Sequence, residues 1–490
     1  MPRAASPHGG PGGARRIARN AALQMTGDAV SKVATVAFYV VMARTLGQGG
    51  FGDFTFALAL AVLCIGLVDL GTDPIVARTI ARRAEALHDV YWNAVAIKLG
   101  LGAVAVAAAM AAVAIGDYDA TVRITVALLA AAALAEAVAQ TPYAVFEGAA
   151  DLKPVAIGLA AQRLATAGVG IAAMALGADV AVVAAVYLAA AVATLVYMHV
   201  SVERKLERPR RSVGATQIRR LVLTSLPVAV SLAFGAVLAR APVTLLSGYE
   251  GNDAVGLFGV GLRLFEGSVF VAWAFVAALV PTLSRATRHS SPSSARVFEV
   301  GLKALTLAVL PLALLLALFA RPIVTTMFGD SFAAATESTR WLAASVWLYA
   351  LGMLASSTLI AQDRTRTAAV LAGLAAVVNV GLCVALIPAH SHVGAAAATT
   401  LAWGLYAAMT IGVVWSFAGR ISPWRVMLGA TAGGAGMALV AIVLGSTLVA
   451  AAVAAVAYVA VAAVVERRRF PDDFELLRRA VLARGRFGVA

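Results

Sequence analysis

From about residue 20 to residue 466 the chain is a succession of long apolar runs separated by polar connections. Each apolar run is about as long as the ~20 residues a helix needs to cross the hydrocarbon core of a bilayer. The runs are long and rich in Ala, Leu and Val. They lack the period-two alternation of a membrane barrel strand. The chain is 61% hydrophobic and 13% charged, whereas a soluble domain carries about 25% charged residues. The pattern predicts an all-α, polytopic membrane protein with about fourteen transmembrane helices, the first near 20–45 and the last near 446–466.

A glycine-rich turn from Ala43 to Phe54 separates the first two runs. Its spacing returns later, with Gly251, Gly256 and Phe258 at the offsets of Gly47, Gly52 and Phe54. Pro74 and Arg78 close the run after the first turn, and Pro281 with Arg285 close its counterpart. One unit is therefore used twice, and a pseudo-twofold pair of lobes is expected. The expected parts are a disordered basic tail over 1–19, a six-span lobe over 20–210 and a second six-span lobe over 211–420. Two additional spans follow over 421–466, then a basic tail over 467–490. Paired repeats of this kind place a substrate path at the interface between the halves.

The net charge of +14 is not a nucleic-acid surface, because the basic residues are concentrated on alternate connections. Arg78, Arg82 and Arg83 occupy one of these, and the longest runs from Glu203 to Arg220. The opposite connections are sparser and lean acidic, holding Arg44, Asp53, Asp117, Asp119, Arg123, Asp179, Glu250, Asp253, Arg321, Asp330, His390 and His392. That alternation follows the positive-inside pattern and puts both termini in the cytoplasm. The two cysteines, Cys64 and Cys383, lie within apolar runs, which argues against a disulfide framework or thiolate metal site. His390 and His392 have metal-compatible spacing, but a lone pair in a loop reads as incidental. Gly433, Gly434 and Gly436 lie in an apolar span and read as a helix-packing surface, not a phosphate loop.

The Arg44-Thr45-Leu46-Gly47 turn followed by Phe51-Gly52, with Ser31-Lys32 in the preceding span, resembles the start of the polysaccharide flippases. The order Ile360-Ala361-Gln362-Asp363-Arg364-Thr365-Arg366, Asn379, Leu386-Ile387-Pro388 and Val393-Gly394-Ala395-Ala396 is similar to their later half. Over residues 15–420 the chain resembles the multidrug/oligosaccharidyl-lipid/polysaccharide exporter superfamily, and within it the polysaccharide and oligosaccharide-lipid flippase family. The resemblance implies two lobes around a central cavity that opens alternately to either side. It implies flipping of lipid-linked oligosaccharide or polysaccharide repeat units across the cell inner (cytoplasmic) membrane. The partners implied are a polyprenyl-pyrophosphate-linked glycan, membrane lipids, and glycan polymerase or glycosyltransferases. Two extra helices also occur in the lipid-linked peptidoglycan precursor flippases, which stand as the alternative.

A charge at the bilayer centre costs about 2.5–3.5 kcal/mol on insertion scales, so each such residue calls for a reason. At about 1.5 Å per residue, Lys32 lies ~18 Å into its span and Arg263 ~15 Å into its own, both near the midplane. Arg240 lies closer to the outer side. Lys32, Arg240 and Arg263 are the candidate cavity residues for a pyrophosphate head, since guanidinium donors match phosphate oxygens in pairs. Asp28, Asp69, Asp73 and Glu266 are the candidates for a gate or ion-coupling site. The alternative for Asp28 and Glu266 is local neutralisation of Lys32 and Arg263 on shared helix faces. For Asp73 it is a helix end beside Pro74. Glu136 and Arg163 are expected to pair within the first lobe.

No cofactor is expected. There is no Walker-type Gly-x-x-x-x-Gly-Lys-Ser/Thr stretch, which leaves a proton, sodium ion or the membrane potential as the energy source. A multidrug or cation antiporter of the same superfamily would favour acids in the cavity. An enzyme such as a membrane glycosyltransferase would need catalytic residues in large outer loops, and these loops are short.

Overall fold

A computed structural model describes residues 11–66, 68, 71–206, 208–210, 212–287, 292–419 and 422–475. Side chains are described within these except at 11–30, 84, 227, 228, 231, 278, 280–287 and 292–294. The described residues form thirteen α-helices, two short 3-10 turns and no strand. The helices are α1 (Pro11–Ile65), α2 (Thr72–Arg82), α3 (Leu87–Ile115), α4 (Ala120–Gly148), α5 (Lys153–Ala175), α6 (Val180–Lys205) and α7 (Ala215–Thr287). They continue as α8 (Pro292–Leu318), α9 (Ala320–Phe328), α10 (Ala335–Ala361), α11 (Thr365–Ala418), α12 (Pro423–Leu444) and α13 (Leu448–Arg469).

Eleven stretches among the described residues are long and apolar enough to cross a membrane. Three of them lie in helices that double back. In α1 the rings of Tyr39 and Phe54 are 6.4 Å apart, where a straight helix would separate these positions by ~22 Å. In α7 Arg240 bonds Glu266 at 2.9 Å, across what would be ~39 Å of straight helix. In α11 a Cβ on Gly394 would lie 2.3 Å from the carbonyl oxygen of Leu386. The reversals fall at Gly47 (φ 69°, ψ −169°), Gly251 (φ 78°, ψ −178°) and Ser391 (φ 48°, ψ −132°). Fourteen crossings result, the number expected from the apolar runs. Gly47 and Gly251 share one backbone conformation, left-handed in φ, which glycine adopts without a Cβ penalty.

The second crossing differs from its sequence reading. The expected helix over 52–77 is broken: α1 ends at Ile65, Gly71 has φ 63°, and α2 starts afresh at Thr72. Its counterpart in α7 runs unbroken through 252–287. Residues 11–19 are helical, α1 starting at Pro11, where proline suits a first helical turn. The echo at Pro281 and Arg285 lies outside the described side chains.

Helices α1–α6 pack on one another, as do α7, α8, α10 and α11, and α1 against α7 forms the main seam between the two groups. Helices α12 and α13 pack on each other and on α8. Gly429, Gly433 and Gly436 face α13 so closely that Cβ atoms there would lie 2.3 Å from Glu466, 2.9 Å from Tyr458 and 3.1 Å from Val461. The glycine-rich run is thus a helix-packing surface. Ile442, Val443, Val449 and Val456 on the outer side are exposed, as a lipid-facing surface requires.

Candidate substrate cavity and its closed end

The connections with few basic residues meet at one end of the molecule, and there the two lobes are shut against each other. A Cβ on Gly52 would lie 1.8 Å from the carbonyl oxygen of Asn252, and one on Gly256 2.3 Å from that of Gln48. The Asn252 side chain donates to Asp53 at 2.6 Å, and Ser247 donates to Asn252 at 2.6 Å. Arg44 donates to the carbonyls of Thr326 and Met327, and Gln48 to that of Ser331. Phe51 packs on Phe328 and Phe332 at ring distances of 6.4 and 6.0 Å. Apart from the Ser247–Asn252 bond, which steadies Asn252, each of these contacts joins the first lobe to the second.

The other end is open. A cavity of about 1210 Å³ enters between the lobes, walled by α2 and α3 on one side and by α7, α10 and α11 on the other. Among the described residues its charged lining is Arg78, Arg82, Arg83 and Arg220 against Glu85 and Asp89, an excess of two positive charges. Among its deeper residues are Trp273, Tyr349, Trp403 and Tyr406. By sequence these arginines read only as loop charges. Their helical spacing, Arg78 to Arg82 on one face, is the available signal that they point together.

The break before α2 gives this arginine-bearing segment its own position. Asp73, in the first turn of α2, binds Lys98 of α3 at 2.7 Å, and Lys98 also donates to the carbonyl of Ala137 in α4 at 2.8 Å. Lys98 is fully buried. The α2 backbone then rests on α4, since a Cβ on Gly148 would lie 2.5 Å from the carbonyl of Ala77. Asp73 is therefore a partner in a buried pair and more than a helix end. Lys98 escapes sequence reasoning because one lysine in a long apolar run gives no indication of a partner twenty-five residues earlier.

Lys32, Arg240 and Arg263 are not in the wall of this cavity. Each of the three is turned to another neighbour in this arrangement. Arg240 and Arg263 share one carboxylate, Glu266, at 2.9 and 2.7 Å. Arg263 also lies over the Tyr39 ring at 3.9 Å, and so links α7 to α1. The three side chains keep one net positive charge. Arg240 is two residues beyond Leu238, the furthest residue of the first α7 arm in the cavity wall. Lys32 lines a smaller groove with Val33, Val36, Val40 and Arg44, its Nζ 5.5 Å from the Phe270 ring. Of the candidate acids, Asp69 and the side chain of Asp28 lie outside the described residues. Glu136 bonds Gln162 at 2.5 Å, and it meets Arg163 at the Tyr187 hydroxyl. His392 contacts the carbonyl of Ala334 at 3.3 Å, and no cluster of three or more metal-ligating side chains occurs among the described residues.

Residues 17–287, more than half of the chain, match the family described as polysaccharide biosynthesis protein, and residues 227–385 match MatE. The chain belongs to the polysaccharide biosynthesis protein family. With the overlapping MatE match, it is a transporter of the multidrug/oligosaccharidyl-lipid/polysaccharide exporter superfamily, not an enzyme. Solved structures agree on the fold. The lipid II flippase MurJ in an inward closed conformation aligns with a TM-score of 0.75 at 11% identity, over 91% of this chain and 99% of that one. An inward-facing multidrug resistance MATE transporter gives 0.64 at 16% identity, over 79% and 93%. The MATE multidrug transporter DinF-BH gives 0.61 at 15% identity, over 84% and 96%. No curated protein sequence matches the chain.

Proposed function

We propose that this transporter flips lipid-linked oligosaccharide or polysaccharide repeat units across the cytoplasmic membrane. The observation that carries the reading is the sign of the cavity: among the described residues, four arginines against two carboxylates in a chamber between apolar helices. Guanidinium groups pair with phosphate oxygens two at a time. A lipophilic cation meets net repulsion there, which disfavours a multidrug antiporter. The open end carries the basic connections and faces the cytoplasm, with both termini, by the positive-inside rule. Cargo is loaded there from membrane lipid, and Arg240 and Arg263, beyond the deep end, form its next contact as the cavity changes sides. A lipid-linked peptidoglycan precursor shares the pyrophosphate linkage, and the MurJ-like fold with two extra helices favours it as the second reading. The membrane potential is a sufficient drive: a negative charge leaving a negative interior gains about 2.3 kcal/mol per 100 mV. A glycan polymerase or glycosyltransferases would supply and consume the cargo.

The test is reconstitution in vesicles with a fluorescent lipid-linked oligosaccharide, scored by its access to an impermeant reagent. Replacing Arg78 and Arg82 by Gln is expected to lower the initial rate at least about tenfold, one lost charged hydrogen bond being ~1.5–3 kcal/mol. A rate unchanged by both substitutions, or transport of lipophilic cations in place of the lipid, would remove the proposal. Comparison of a peptidoglycan precursor with a polysaccharide repeat unit separates the two cargoes.

A further inference from the structure

The cavity is chemically two-sided. Its arginines gather at the mouth, on α2, just after it at Arg83, and at the start of α7. Its aromatic residues lie deeper and all come from the second lobe: Trp273 from α7, Tyr349 from α10, Trp403 and Tyr406 from α11. We propose that this aromatic wall is a glycan subsite, which takes the sugar rings of the cargo while the arginine rim holds its phosphates. The inference rests on the functional reading above and adds to it where each half of the headgroup goes.

The rings form a fixed array. Tyr349 meets Trp403 edge to face at 4.7 Å and 79°, and Trp403 meets Tyr406 at 5.9 Å and 76°. Phe265 backs Tyr349 at 5.8 Å and 86°. Edge-to-face contacts of this kind hold ring planes in place, and Trp403 and Tyr406 are buried at the edge of the cavity. Trp273 lines the cavity beside this array and is 55% exposed. Tryptophan and tyrosine in membrane proteins often mark the headgroup level. Tyr349 and Trp403 do not: each lies near the middle of its helix, Tyr349 within 335–361 and Trp403 within 392–418. At that depth the rings line a cavity between the lobes and are away from both headgroup levels.

A pyranose ring suits such a wall. One of its faces is a patch of C–H groups of weak positive polarity, which stacks on the negative face of an aromatic ring. Its hydroxyls need polar neighbours, and Ser356 and Ser357 line the same cavity. The first α7 arm contributes to the wall from Gln217 to Leu238, a rise of ~32 Å. That length accommodates phosphates at the mouth with sugar rings in line behind them. A planar cation could stack on the same rings, but the net positive lining opposes it. A prenyl chain has no reason to leave lipid for a cavity rimmed by arginine.

The experiment compares two probes on the full-length protein in detergent: a polyprenyl pyrophosphate, and the same lipid carrying an oligosaccharide. The wild type is expected to bind the glycosylated lipid about tenfold more tightly, the equivalent of one good stacking contact. Trp273→Ala should erase that preference, and Trp273→Phe should keep most of it. Arg78→Gln should weaken both lipids by the same factor and leave their ratio intact. Equal affinity of the wild type for the two lipids overturns the glycan subsite and leaves the phosphate reading standing. So does a Trp273→Ala variant that retains the preference. Binding of neither lipid, with tight binding of a rhodamine dye as a lipophilic cation, overturns both.

Discussion

Gly52 lies against the carbonyl of Asn252 with no room for a side chain between them: a Cβ there would sit 1.8 Å from the oxygen. The converse contact joins Gly256 to the carbonyl of Gln48, at 2.3 Å. Gly52 with Gln48, and Gly256 with Asn252, occupy equivalent places in the two repeats. The closed end is therefore a self-complementary interface within one chain, the intramolecular form of a twofold dimer contact. Replacing either glycine with Ala should cost the closed arrangement about 1–3 kcal/mol by overpacking. The expected result is greater labelling of a cysteine placed at Asp53 by an impermeant thiol reagent, in a background lacking Cys64 and Cys383. Labelling unchanged by Gly52→Ala and by Gly256→Ala would contradict this view of the closed end.

The Asp73–Lys98 pair holds the arginine-bearing α2 to the body of the first lobe. Loss of one member of a buried pair typically costs ~3–5 kcal/mol, while replacing both is far milder. Lys98→Met should therefore lower the melting temperature in detergent and slow transport. Lys98→Met combined with Asp73→Asn should recover much of the melting temperature. A double variant no more stable than the single one would show that the pair is not the relevant interaction.

Lys303 occupies in α8 the place that Lys98 holds in α3, with a similar offset in the repeat. Its acids come from elsewhere: Glu466 at 2.6 Å and Asp473 at 3.1 Å, both at the C-terminal end, with Phe470 under its Nζ at 3.7 Å. Asp473 also contacts Arg296. The extra helices thus supply a counterion that the first lobe draws from α2. Lys303→Met should destabilise by about 3–5 kcal/mol, and Glu466→Gln by less, since Asp473 remains. Thermal unfolding of the two variants and of a chain ending at residue 465 checks the order, with the truncation as damaging as Lys303→Met.

Glu266 serves Arg240 and Arg263 at once. Glu266→Gln should lower the melting temperature more than Arg240→Gln does, because it leaves two cations without a shared anion. The same measurement with Arg240→Gln added to Glu266→Gln should show partial recovery. Equal effects of the two single substitutions would mean that the carboxylate is not shared in the membrane.

How much of this is legible beforehand varies by residue. The turns at Gly47 and Gly251 are, because a short polar segment between apolar runs leaves a chain no alternative to reversing. The small-residue packing at Gly433 and Gly436 is legible for the same local reason. The break before Gly71 is hidden inside a run apolar enough to read as one helix. Lys32, Arg240 and Arg263 are placed by sequence in depth but not in direction. Depth follows from counting residues at ~1.5 Å each. Direction about the helix axis requires an amphipathic pattern, and helices apolar on all sides supply none.

The sequence by itself determined a bundle of about fourteen membrane helices, its twofold internal repeat, and the end of the molecule that carries the positive charge. These follow from the length of apolar runs, glycine spacing and the alternation of loops, all local properties of the chain. Only the tertiary structure decided which cations face the cavity, that Lys98 and Lys303 are paired, and that the aromatic residues of α7, α10 and α11 form one wall. Those outcomes depend on how each helix is rotated against its neighbours. That rotation is set by side-chain packing between segments far apart in the chain.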